Sequence, residues 1–84
     1  MIFHVKVYVS IKESVLDPQG KTVNEALHHL GYPTVSKTRI GKYITFDIDS
    51  NSQLAAEAQI KEVCEKVLTN PIIETFTYDL SADA

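Results

Sequence analysis

Arg39 and Lys42 are the residues whose type and spacing point to recognition chemistry. They flank Gly41 in the run Arg39-Ile40-Gly41-Lys42-Tyr43, where a bulge at the glycine presents both cations to a carboxylate or phosphate on a partner. A plainer role for Lys42 is equally available, as a charge that protects a strand edge from unwanted pairing. The remaining reactive side chains read as structural. Cys64 sits midway along an apolar helical stripe, where a thiol behaves as a small hydrophobe rather than a nucleophile. His28 and His29 are neighbours on a helix, so their side chains diverge by about 100° and do not share a metal, and His4 stands apart on a strand. Asp47 and Asp49 alternate on one strand and point to the same face, which suits solvation or edge protection better than an acid–base pair. Gly20, Gly31 and Gly41 are too far apart to form a phosphate-cradling glycine run. No catalytic, cofactor-binding or metal-binding residue is expected in this chain.

The elements that carry these residues are marked by period and punctuation. Phe3, Val5, Val7 and Val9 alternate with His4, Lys6 and Tyr8, the pattern of a half-buried strand. Asp17-Pro18 starts a helix over Pro18–Leu30, the aspartate as cap and the proline at the first helical position, and Gly31 ends it. Val23, Ala26, Leu27 and Leu30 form its apolar stripe. Over residues 35–49 a two-residue hairpin at Gly41-Lys42 would place Thr45 and Asp47 on the core face with Ile40. One long strand instead aligns Ile40, Ile44, Phe46 and Ile48, and is favoured.

Ser50-Asn51-Ser52 caps a second helix with the stripe Ala56, Ile60, Val63, Cys64 and Val67, a Glu57–Lys61 pair on its solvated face, and a stop at Asn70-Pro71. A last strand, Ile72–Leu80, faces Phe76, Tyr78 and Leu80 one way, and Ser81–Ala84 is expected to be a frayed tail. The order is β-α-β-α-β. The expected fold is α+β: an antiparallel or mixed sheet with a long central strand and both helices on one face, its other face open for association.

Composition narrows the function classes. The 84 residues form a single domain, 1–84, small enough that association is expected. A net charge of −3 with one arginine argues against a nucleic-acid partner. One cysteine excludes an internal disulfide, and no apolar run approaches membrane-spanning length, so a soluble cytoplasmic protein with no membrane partner is expected.

Three phrases, Leu16-Asp17-Pro18-Gln19-Gly20, Arg39-Ile40-Gly41-Lys42-Tyr43 and Asn70-Pro71-Ile72-Ile73-Glu74, resemble the PurS family in order and spacing over nearly the whole chain. PurS chains are the small subunit of phosphoribosylformylglycinamidine (FGAM) synthase, a glutamine-hydrolysing ligase of purine biosynthesis. The resemblance implies a non-catalytic subunit, itself a dimer or tetramer, that bridges the glutaminase subunit PurQ and the synthase subunit PurL so that ammonia passes between them. ATP and magnesium are then bound by the large subunit, with no cofactor in this chain. It also places Arg39, Gly41, Lys42 and Tyr43 at contacts within the oligomer or with the large subunit. The helix-two opening Ser52-Gln53-Leu54-Ala55-Ala56 is less acidic than the family pattern. The alternative is a small-molecule-sensing regulatory α+β domain; a small phosphate-ester hydrolase is disfavoured because Arg39 stands alone.

Overall fold

The computed structural model describes residues 1–82. The alternation at the start of the chain forms strand β1, Ile2–Ile11, whose Phe3, Val5, Val7 and Val9 are buried while His4, Lys6 and Tyr8 are exposed. β1 lies at the centre of a three-stranded sheet, antiparallel to β2, Gly41–Asp49, on one side and β3, Glu74–Ala82, on the other. Ile44, Phe46 and Ile48 stand opposite Val7, Val5 and Phe3, while Phe76, Tyr78 and Leu80 stand opposite Val9, Val7 and Val5. All three inward rows therefore share one face, as the alternation demands. The α+β class and the β-α-β-α-β order are those expected.

Two strand boundaries differ from the sequence reading. The strand expected from residue 35 begins only at Gly41. Lys37 adopts left-handed backbone (φ 57°), and the Ile40 amide is donated to the Asp17 carboxylate at 2.8 Å rather than to a strand ladder. At the other end, Ser81 and Ala82 pair with His4 and Phe3 in β3 instead of fraying. Asp83 and Ala84, the rest of that expected tail, lie outside the described residues.

Helix α2, Gln53–Val63, is capped by Ser52, whose hydroxyl accepts the Ala55 amide at 3.1 Å, and crosses the inner face of the sheet. Ile60 and Cys64 are fully buried against Val5, Val7 and Val9. Glu57 accepts the Tyr78 hydroxyl at 3.2 Å from β3, and the ion pair on the solvent side falls at Glu62–Lys66 (2.8 Å).

A π-helical turn, Cys64–Leu68, extends α2 and ends with the Thr69 amide on the Cys64 carbonyl at 3.0 Å. The wider winding advances each residue through a smaller angle. Val67, placed on the stripe by α-helical spacing, is therefore turned out to 75 % exposure, and Leu68 joins the core instead. Leu68→Ala is expected to cost about 2 kcal/mol and Val67→Ala less than about 0.5 kcal/mol in urea unfolding. The reverse order would contradict the π turn.

Helix α1, Pro18–His29, corrects a larger expectation. Among the described residues, α2 and its π-helical turn supply the helical side of the core on the sheet face; α1 supplies none of it, and Gly20 is its only buried residue. The 51 Å long axis exceeds the ~33 Å that the ten residues of β1 span, and α1, tied to the segment that follows it through His28–Val35 and Asn24–Thr38, lies outside the core cluster. Val23 and Leu30 of its stripe are 38 % and 73 % exposed.

Candidate functional site

The sheet end from which α1 departs and β2 begins gathers most of the residues singled out by sequence. Asp17, nearly fully buried, is its centre. One carboxylate oxygen accepts the Gly20 amide at 3.0 Å, satisfying a free donor of the first helical turn, and the other accepts the Ile40 amide at 2.8 Å. The cap foreseen from Asp17-Pro18 is therefore also a buckle between α1 and the chain leading into β2. Gly20 allows this closeness: a Cβ there would meet the Thr38 carbonyl oxygen, the Asp17 carboxylate at 2.6 Å and the Arg39 Cα at 3.0 Å. Thr38 adds a second tie, its hydroxyl donating to Asn24 of α1 at 2.7 Å.

The Ile40 and Gly20 amides, with a smaller contribution from the Arg39 cation, hold the Asp17 carboxyl below the usual carboxylate range, outweighing the opposite effect of burial. The folded chain consequently favours ionised Asp17. Its stabilisation is complete above the unfolded value near 3.8 and fades as the pH falls through the lower folded value. Wild type is thus expected to lose its melting-temperature advantage over Asp17→Asn as the pH is taken from 6 down to 2. An advantage independent of pH across that range would show that the Asp17 charge is not involved.

Arg39 turns inward on the same structure. Its Nη2 lies 2.9 Å from the Lys12 carbonyl, 3.0 Å from that of Val15 and 3.3 Å from that of Ile11, so the guanidinium gathers the loop between β1 and α1. Gly41 lies against β1, where a Cβ would come within 2.5 Å of the Val9 carbonyl oxygen. Lys42 sits 3.5 Å from the Glu74 carboxylate while its side chain remains 55 % exposed. Tyr43 points to the opposite face and stacks on Tyr8, ring centroids 5.3 Å apart, while the Tyr8 hydroxyl donates to Asp79 at 3.2 Å. Partial desolvation and the Asp79 carboxylate together push the Tyr8 phenol up. The four candidates are therefore close in sequence but divided in orientation: Arg39 and Gly41 fix the backbone, and Lys42 and Tyr43 offer surface.

Asp47, Asp49 and His28 have structural partners. Asp47 meets His4 across the strands at 2.7 Å, and Asp49 meets the N-terminal amine at 3.2 Å. His28 Nε2 lies 2.6 Å from the Val35 carbonyl oxygen, tying α1 to the loop that follows it. Cys64 is wholly buried, and that burial pushes its thiol up. Sequence reasoning missed the contribution of Thr38 and Asn24, for which the only signal was their polarity. Among the described residues, no helix is long and apolar enough to cross a membrane.

A small α+β chain whose charged side chains brace its own backbone, and whose first helix carries an uncovered apolar stripe, is an association module. The chain belongs to the PurS family: the family model, described as Phosphoribosylformylglycinamidine (FGAM) synthase, matches residues 4–82. The FGAM synthase subunit PurS of Bacillus subtilis (strain 168) is 47 % identical over 79 residues, covering 94 % of this chain and 93 % of that protein. Its counterpart in Synechocystis is 38 % identical, over 95 % of this chain and 80 % of that one. A structure of B. subtilis PurS superposes with a TM-score of 0.85 at 48 % identity, over 95 % and 99 % of the two chains. A chain in the structure of PurLQS from Thermotoga maritima gives 0.88 at 27 % identity, over 96 % and 99 %.

Proposed function

We propose that this chain is the small, non-catalytic subunit of FGAM synthase, acting as one domain over residues 1–84. It self-associates and bridges the glutaminase subunit PurQ and the ATP-dependent subunit PurL, so that ammonia released from glutamine reaches the amidation site without loss to water. The observation that carries this reading is the likeness, along almost the full chain, to a chain of the PurLQS structure. ATP and magnesium belong to the large subunit, and the complex works in the cytoplasm.

Lys42 and Tyr43 are the members of the candidate interface that reach a partner, and Arg39 and Gly41 hold the backbone that presents them. The large subunit is the expected partner: Lys42 is a half-exposed cation on one face of β2 and Tyr43 stacks on Tyr8 on the other, so a partner that wraps this strand end reaches both. Sedimentation of the chain with PurL and PurQ from the same host tests this. A three-component complex is expected, with affinity lowered at least about tenfold in the Lys42→Ala/Tyr43→Ala variant. A variant that assembles as tightly as wild type would remove these residues from the interface, and failure of wild type to assemble would remove the bridging role itself.

A further inference from the structure

We infer that the cleft between α1 and the chain leading into β2 binds a free α-amino acid in its dipolar form. The cleft has a volume of about 630 Å³ and opens between the N-terminal half of α1, the loop that follows β1 and residues 37–39. That volume falls within the roughly 300–1,000 Å³ of small-molecule sites. Its walls are fixed before any ligand arrives. Asp17 joins Gly20 to Ile40, Thr38 donates to Asn24 at 2.7 Å, and His28 lies 2.6 Å from the Val35 carbonyl oxygen. Between those ties Lys37 holds left-handed backbone, φ 57°, which a residue with a side chain adopts only where its surroundings impose it. Non-glycine residues in such conformations collect at ligand clamps, and this one lines the cleft with a cation.

Charge identifies the ligand. Of the six ionisable side chains that line the cleft, two are committed to the fold: Asp17 accepts the Gly20 and Ile40 amides, and Arg39 turns its Nη2 to the carbonyls of Lys12 and Val15. Glu13, Lys21, Glu25 and Lys37 remain, two cations and two carboxylates, all exposed and none with its side chain in an ion pair or hydrogen bond among the described residues. Lys21 and Glu25 stand one turn apart on α1, in the less favourable order for pairing with each other. A cation and a carboxylate at that spacing match the two charges of an α-amino acid, its carboxylate set toward Lys21 and its ammonium toward Glu25. Lys37 and Glu13 supply the same two signs from the other walls. A phosphate or a nucleotide brings only negative charge and would meet Glu13 and Glu25, whereas a simple amine would meet Lys21 and Lys37. Leu16, 73 % exposed, adds an apolar wall for the ligand's carbon chain.

Amide chemical-shift titration of the full chain tests this, with L-glutamine and glycine as probes and acetate, methylammonium and inorganic phosphate as partial mimics. Both amino acids are expected to shift cleft amides saturably, with Kd on the order of 1 mM. Each mimic is expected to bind at least about tenfold more weakly, since it satisfies one sign of charge only. Lys37→Gly removes the cation and suits the left-handed backbone, so it is expected to melt no lower than wild type while binding glutamine at least about tenfold more weakly. Glu25→Gln, at an exposed position, is expected to weaken binding by a similar factor and to leave melting unchanged. Absence of saturable shifts with both amino acids up to about 20 mM would overturn the site. Phosphate binding as tightly as glutamine would overturn the dipolar ligand in favour of an anion, and unchanged affinity in either variant would remove the cleft as the place of binding. The bridging role is read separately, by assembly with PurL and PurQ, and stands whichever way the titration falls.

Discussion

Gly20→Ala is expected to destabilise the chain by about 3 kcal/mol, lowering the melting temperature by roughly 15 °C. Helix propensity alone predicts the opposite, since alanine in a helix is favoured over glycine by up to about 1 kcal/mol. Packing outweighs propensity because the added methyl meets backbone on two sides, the Thr38 carbonyl and the Arg39 Cα, as well as the Asp17 carboxylate. Only the carboxylate is a side-chain end, and its hydrogen bonds from the Gly20 and Ile40 amides hold it in place. Relief requires the segment 38–40 to move off α1, which breaks the Asp17–Ile40 hydrogen bond. Gly31→Ala is the matched control: its backbone has φ +95° but open space around it, so only conformational strain of about 1 kcal/mol is expected there. Thermal melts of the two variants at one protein concentration separate steric from conformational cost. A Gly20→Ala chain as stable as wild type would mean that the close approach of α1 to residue 38 is absent.

Ile60→Ala is the second large effect, expected at about 4 kcal/mol. Ile60 is fully buried in the core cluster between α2 and the sheet, with Val5, Val7, Val9 and Cys64. Deleting three carbon atoms there removes apolar burial and leaves a cavity walled by strands that cannot collapse without breaking their pairing. For 84 residues the whole stability is on the order of 4 to 12 kcal/mol, so one such change consumes much of it. Leu54→Ala, on the same helix but 80 % exposed, is expected within about 0.5 kcal/mol. Urea unfolding of both variants checks the contrast; equal midpoints would place the core elsewhere.

What the sequence made legible was local. The two-residue period of β1, the Asp17 and Ser52 caps and the Gly31 stop each follow from the chemistry of one or a few neighbouring residues, and the structure places them as read. The stripe of α1 was equally legible, but a stripe says only that a face seeks cover and not which surface supplies it. Assigning it to the chain's own sheet was the natural inference and the wrong one. Val67 and Leu68 were exchanged for a related reason: the π turn changes the angular period within one helix, and nothing in Cys64-Glu65-Lys66-Val67-Leu68 announces the change. Arg39 was recognised as unusual, yet its three carbonyl partners lie 24 to 28 residues earlier, a distance over which periodicity carries no information. Gly20 stood out in the sequence as the end of the phrase Leu16–Gly20, but its close approach was not legible, because the backbone that passes over it arrives only in the folded chain.

The most direct test of the bridging role is to compare glutamine-supported with ammonia-supported formation of formylglycinamidine ribonucleotide by PurL and PurQ, with and without this chain. Glutamine-supported turnover is expected to rise strongly when the chain is added, with ammonia-supported turnover nearly unchanged, as the proposed bridging role requires. Equal glutamine-supported turnover in its presence and absence would contradict the account.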